Sequence, residues 1–217
     1  MPIPRLSESF LHWLSIFDVI AVPIFTLYVI WFMPPNTSSV WLALPIWLAI
    51  TFLLHRDTPY TLGWRAKNLG PATLHATFLF GAMAIPLIAA GLILGPRYGH
   101  YSMGFTARHL WNYFAFCLLQ QVGMNSLLTN RFLSLIRRPW VAILLSAVIF
   151  STLHLPNPVL VVATLIAGTA TAWLFSRDRS ILPLALWQAI LGTLVASSIP
   201  RIWLHNMRVG PGFYRFH

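Results

Sequence analysis

The chain has 217 residues, of which 58% are hydrophobic and 8% charged, with 14 Lys+Arg against 4 Asp+Glu and a formal net charge of +10. A soluble domain is about a quarter charged, so this composition excludes a water-facing globule, and a mean hydropathy of +0.72 indicates an integral membrane protein. The basic excess does not imply nucleic acid, because the arginines stand singly between apolar runs, as positive-inside anchoring and contact with anionic lipid require.

A helix needs ~20 apolar residues to cross the ~30 Å hydrocarbon core. Seven segments are candidates, so an all-α, polytopic bundle of about seven transmembrane helices is expected. The first covers about 10–33, with a kink expected at Pro23, and its apolar run reads as a span rather than a cleaved signal. The second, about 38–54, is short. Residues 56–71, RDTPYTLGWRAKNLGP, are polar and punctuated by Gly and Pro, and read as an interfacial connection. The third span is about 72–94, followed by a loop over 95–108. The fourth, about 109–134, ends at Arg137, Arg138 and Pro139. The fifth is about 140–155, closed by Pro156-Asn157-Pro158; the sixth, about 158–176, is closed by Arg177-Asp178-Arg179; the seventh, about 181–199, is closed by Pro200. A basic, aromatic tail occupies 200–217. No linker divides the chain, so residues 1–217 are read as one membrane domain. With the N-terminus inside, nine of the fourteen Lys/Arg fall on the cytoplasmic side, which favours that orientation. Tryptophans at span ends (Trp13, Trp41, Trp64, Trp111, Trp140, Trp203) fit aromatic belts. Cys117, the one cysteine, reads as a small buried hydrophobe.

Polar groups inside lipid are costly and are functional candidates by default. Asp18 is the only acid well inside a span, and either pairs with an arginine or sits protonated. In LLQQVGMNSLLTNRF (118–132), Gln121 and Asn125 are four apart and share a helix face, with Gln120 about 100° around. Phe150 and His154 repeat that spacing on the fifth span, and Gln188 and Gly192 on the seventh. Three helices thus offer polar or small positions to one interior. Spacing alone leaves two readings open, interhelical hydrogen-bonding glue and a site with chemistry.

These stretches resemble the CAAX-protease and bacteriocin-processing (CPBP, or Abi) family of intramembrane proteases. QQVGMNSLLTNRF is similar to its first motif, Glu-Glu-x-x-x-Arg; AVIFSTLHLPNP to its second, Phe-x-x-x-His; and SILPLALWQAILGTLV to its third, His-x-x-x-Asn/Asp. The resemblance implies a CAAX-protease-like core over about 58–199. It places the family's glutamates on Gln120 and Gln121, its arginine on Asn125, and its third-motif pair on Gln188 and Gly192; Phe150 and His154 are kept. The family's chemistry needs a carboxylate and a histidine to activate water and positioned donors for the oxyanion. An amide cannot accept that proton, and glycine offers no side-chain donor.

The expectation is therefore a vestigial protease site at Gln120, Gln121, Asn125, Phe150, His154, Gln188 and Gly192, with no intact catalytic residue. The chain would be a non-enzymatic accessory or scaffold subunit that binds partner helices, lipid or a hydrophobic ligand within a larger membrane complex. The resemblance and the arginine-rich composition suggest a bacterial inner membrane. The alternative is an active CAAX-type endopeptidase in which Asp18 serves as a reassigned acid within reach of His154. A channel or transporter would want charges along a path, which the spans lack. One histidine among amides does not make a zinc site. No metal or other cofactor is expected, short of axial ligation of a pigment or haem by His154. The other histidines read as interfacial or satisfied groups.

Overall fold

The computed structural model describes residues 6–33, 38–98 and 107–215, and among them every regular element is helical. Helix α1 spans Glu8–Phe32. The Ser7 side chain accepts from the Phe10 N–H and Glu8 lies in the first turn, which satisfies an orphan donor and matches the helix dipole. The assigned helix passes through Pro23 without a break. A single turn, α2 (Ser38–Trp41), leads into α3 (Ala43–Leu54). The expected connection at 56–71 is a turn and a short 3-10 segment, Ala66–Asn68, from which α4 runs over Leu69–Tyr98. The loop expected at 95–108 is therefore partly helix; residues 99–106 lie outside the described residues.

The fourth expected span is divided. α5 (Ala107–Gln121) passes into a π-helical segment, Val122–Thr129, and then into α6 (Asn130–Leu135). Gln121 and Asn130 both keep right-handed helical dihedrals, so the three pieces form one rod. α7 (Pro139–Thr152), α8 (Pro158–Asp178) and α9 (Leu182–Ser198) each begin with a proline in the first turn, where its missing N–H costs nothing. The tail is folded, into α10 (Arg201–Leu204), a 3-10 turn and α11 (Pro211–Tyr214).

Among the described residues three helices are long and apolar enough to cross a membrane: Glu8–Phe32, Ala66–Leu94 and Pro158–Asp178. Ser39–Leu54, Pro139–Thr152 and Leu182–Ser198 are apolar but shorter. The difference from the seven expected spans has a local cause. Hydropathy counts apolar residues, whereas prolines and caps set where helical hydrogen bonding stops.

Phe80 of α4 packs with Leu174 and Phe175 of α8 and Leu184 and Leu191 of α9. Val19 and Val22 of α1 meet Leu48 of α3, Leu127 and Leu128 of the π segment, and Phe132. Small residues, Ala147 on α7 and Gly168 and Ala172 on α8, let those two helices approach closely around Met124 and Phe150, as in membrane bundles generally.

The bundle is tied at both ends. At one end Arg131 pairs with Asp57 (Nη2 to Oδ2, 2.5 Å), Asn68 donates to the Asp178 carbonyl (3.1 Å), and the Ile181 N–H donates to the Gly63 carbonyl (3.1 Å). Gly63 has φ +93, and a Cβ there would lie 2.6 Å from a Phe175 ring carbon, so both backbone and space demand glycine. At the other end Asn157 caps α8 and donates to the carbonyls of Leu204 (2.8 Å) and Arg208 (3.2 Å), while the Gly210 N–H donates to the Leu155 carbonyl (2.8 Å).

Candidate functional site

α5 and α9 lie side by side, and the amides of the first and third motifs meet between them. Gln121, 1% exposed, donates from Nε2 to the Oε1 of Gln188 at 2.6 Å. Gln188 in turn donates from Nε2 to the Oε1 of Gln120 at 2.5 Å. Asn125 donates from Nδ2 to the Oε1 of Gln121 at 2.5 Å, and the Thr129 hydroxyl shares its proton between Asn125 Oδ1 (3.0 Å) and the Met124 carbonyl (3.1 Å). The result is a head-to-tail ladder, Thr129–Asn125–Gln121–Gln188–Gln120. Each internal amide both donates and accepts, so polar groups that would be expensive in lipid satisfy one another.

The local fold explains the ladder. Successive helical side chains point about 100° apart, and glutamine is long enough for Gln120 and Gln121 to bracket one position on the facing helix. That position is Gln188. The π segment begins one residue after Gln121. The Asn130 N–H bonds to the Asn125 carbonyl, five residues back, and this widened turn accommodates Asn125 and Thr129 on the buried side, both 0% exposed. π segments are rare and often mark functional sites.

The remaining motif residues are placed differently. Phe150 is buried and packs edge-on to the His154 ring at 5.0 Å. His154 Nδ1 lies 2.9 Å from the Phe150 carbonyl. A carbonyl only accepts, so Nδ1 donates and the neutral ring keeps its lone pair on Nε2. None of His154's described contacts is with the ladder. Gly192, on α9 one turn beyond Gln188, faces Tyr113 of α5. A Cβ built on Gly192 would lie 1.9 Å from the Tyr113 hydroxyl oxygen. The room that the family's third-motif side chain would need holds a phenol, whose hydrogen-bonding neighbour is the Cys117 thiol one turn along.

Asp18 belongs to another cluster. It is 0% exposed and accepts from the Trp47 indole Nε1 at 3.2 Å and from the Thr51 hydroxyl. His55 Nε2 lies 3.9 Å away. Trp47 and Thr51 lie four apart on one face of α3, and His55, the residue just past its end, continues that spacing. No described contact joins Asp18 to His154. His55 sits in the polar turn just past α3, and its pKa is lowered, first by burial and then by Arg131, against the opposing pull of Asp57 and Asp18. The unfolded chain then binds the proton more readily than the folded one, so this group's contribution is complete above the ordinary histidine value of about 6.5 and is lost as pH falls through it. Thermal unfolding in detergent between about pH 5 and 7.5 is expected to show that decline, with a flatter profile for His55→Gln; an unchanged slope counts against it.

Among the described residues no three His, Cys, Asp or Glu side chains are grouped as a metal ion would require. Tyr113 and Thr129 were not singled out in the sequence. The available signal was spacing: Tyr113 and Cys117 lie on α5 two turns and one turn before Gln120/Gln121, on the same helix face.

Residues 102–194 match the family model for type II CAAX prenyl endopeptidase Rce1-like proteins. That interval contains all seven residues of the three motifs and excludes Asp18. No curated protein and no solved structure matches the chain.

Proposed function

Residues 102–194 carry an Rce1-like CAAX-protease-family domain, and from that premise we propose that the protein is a catalytically degenerate member of the fold, acting as a non-enzymatic accessory or scaffold subunit in a membrane. The observation that carries this reading is the closed amide ladder. Gln120, Gln121 and Asn125 stand where the family has two glutamates and an arginine, and they spend their hydrogen bonds on Gln188, Thr129 and one another. A general base has to accept a proton from water near neutral pH, and no member of the ladder does so. The lone pair on His154 has no carboxylate among its described contacts. Tyr113 supports the same reading, because it fills the position from which a third-motif side chain would reach an oxyanion.

In this reading the chain crosses the membrane seven times, with α5, the π segment and α6 forming one crossing and α3, α7 and α9 being short ones. The N-terminus and the arginine-rich end near Asp57, Arg131 and Arg179 face the cytoplasm of a bacterial cell. Its partners are lipid and other membrane subunits, and it takes no cofactor.

Reconstituted in vesicles, the natural chain is expected to release no product from a prenylated CAAX peptide above protein-free vesicles. Cleavage by the natural chain that disappears in Gln120→Ala overturns the proposal.

A further inference from the structure

A cavity of about 310 Å³ opens where the turn after α3 meets α6 and the α8–α9 junction, lined by Asp57, Thr61, Asn130, Arg131, Ser134 and Arg179. It lies at the end of the bundle tied by the Arg131–Asp57 pair, its lining includes no member of the amide ladder, and its chemistry is independent of whether the chain is a protease. Arg131 is 6% exposed and reaches Asp57 through Nη2, yet its buried Nε has no hydrogen-bond acceptor. Arg179 lies just past α8 in a left-handed cap. It donates through Nη1 to Asn130 Oδ1, and its guanidinium sits 5.3 Å over the Phe175 ring. Burial and then the neighbouring Arg65 hold its pKa below the ordinary arginine value, and the side chain stays cationic.

The neutral groups of the lining are already committed. The Ser134 hydroxyl donates to the Arg131 carbonyl (2.7 Å), the Thr61 hydroxyl to the Thr58 carbonyl (3.0 Å), and Asn130 Nδ2 to the carbonyls of Thr61 and Ser126 (3.0 Å each). What remains for a ligand is guanidinium N–H. Two guanidinium groups against one carboxylate, itself engaged, leave the cavity positive. An arginine fork matches the oxygens of a phosphate better than a point charge does.

We propose that this cavity binds a phosphate group, gripped by the Arg179 fork, with the Arg131 guanidinium in the same lining adding positive charge. The ligand is either the phosphomonoester headgroup of a lipid or free phosphate.

Thermal unfolding of the full chain in detergent tests this, with sodium phosphate against sodium chloride at matched ionic strength, and short-chain phosphatidic acid against short-chain phosphatidylcholine. Stabilisation by phosphatidic acid alone identifies a headgroup site; equal stabilisation by inorganic phosphate identifies a free-phosphate site. In either case Arg179→Gln is expected to weaken apparent affinity about tenfold or more, the scale of a charge-assisted hydrogen bond. Arg137→Gln, an exposed arginine outside the cavity lining, should leave it unchanged. If Arg179→Gln does not fold, Arg179→Lys, which keeps the charge and loses the fork, carries the test with the same expected direction. No shift from either ligand beyond its control, or a shift that survives loss of the Arg179 fork, overturns the proposal.

Discussion

Gly192→Ala is expected to lower the thermal stability of the protein by several degrees, although it adds a single methyl group to an apolar helix where alanine is the better helix former. The methyl carbon would lie 1.9 Å from the Tyr113 hydroxyl oxygen and 3.0 Å from Cζ of the same ring. A tyrosine wedged between helices has only two side-chain torsions with which to retreat, and its neighbour Cys117 is fully buried. Overpacking of this kind costs about 1–3 kcal/mol, and each kcal/mol corresponds to roughly 2–4 °C in a chain of this size. The partner variant makes the result diagnostic. Tyr113→Phe removes the oxygen that clashes, so the double substitution Tyr113→Phe/Gly192→Ala is expected to recover most of the loss, and a double-mutant cycle should return a coupling of about 1 kcal/mol or more. A Gly192→Ala protein as stable as the natural one would mean that the slot is open. The same geometry bears on any attempt to install the residues of the resembled protease motifs. Gln120→Glu, Gln188→His and Gly192→Asn would introduce three of the residue types of the resembled motifs, yet the new asparagine has no room until Tyr113 is trimmed.

The two glutamines that stand for the family's glutamates are expected to respond oppositely to a carboxylate. Gln120 ends the ladder, is half-buried, and its described role there is to accept from Gln188 Nε2. A carboxyl there still accepts, so Gln120→Glu should cost less stability than Gln121→Glu, which also loses a donor. Gln121 is interior. It accepts from Asn125 and donates to Gln188, and a carboxylate at that position can only accept. Gln121→Glu would set an oxygen against the Gln188 carbonyl, or force the downstream amides to flip, and would bury a charge with no cation beside it. The expected loss at neutral pH is several kcal/mol, shrinking as the solution is acidified and the carboxyl takes up a proton. Parallel unfolding curves of the two variants at about pH 5 and pH 7.5 separate the cases. Equal tolerance of both substitutions would show that the interior of the ladder is wet, and would remove the main support for an inert site.

Much of this arrangement was legible from local pattern. The apolar lengths of α1, α4 and α8 announce membrane helices, because crossing hydrocarbon is a requirement on composition alone. Proline and the basic clusters mark where α7, α8 and α9 begin. The three motifs could be read at their spacings because a helix converts spacing into direction, and the family match over 102–194 covers the same residues. The shortness of α7 and α9 was less legible, since caps rather than hydropathy end a helix. The folding of the tail onto Asn157 and Leu155 was illegible, because its bonds join residues about fifty apart in sequence to backbone carbonyls that every residue carries.

Composition and order of residues thus establish apolar helices long enough to cross a membrane, and that the positions resembling the three protease motifs hold no acid. They leave open which amide faces which, because a glutamine side chain has the same donors and acceptors wherever it points, and partners are chosen by helices meeting across long stretches of sequence. The packing of α5 on α9 puts Gln188 between Gln120 and Gln121 and sets the Tyr113 phenol over Gly192. The distance between two residues on different helices follows from how both helices pack, and neither helix encodes it alone.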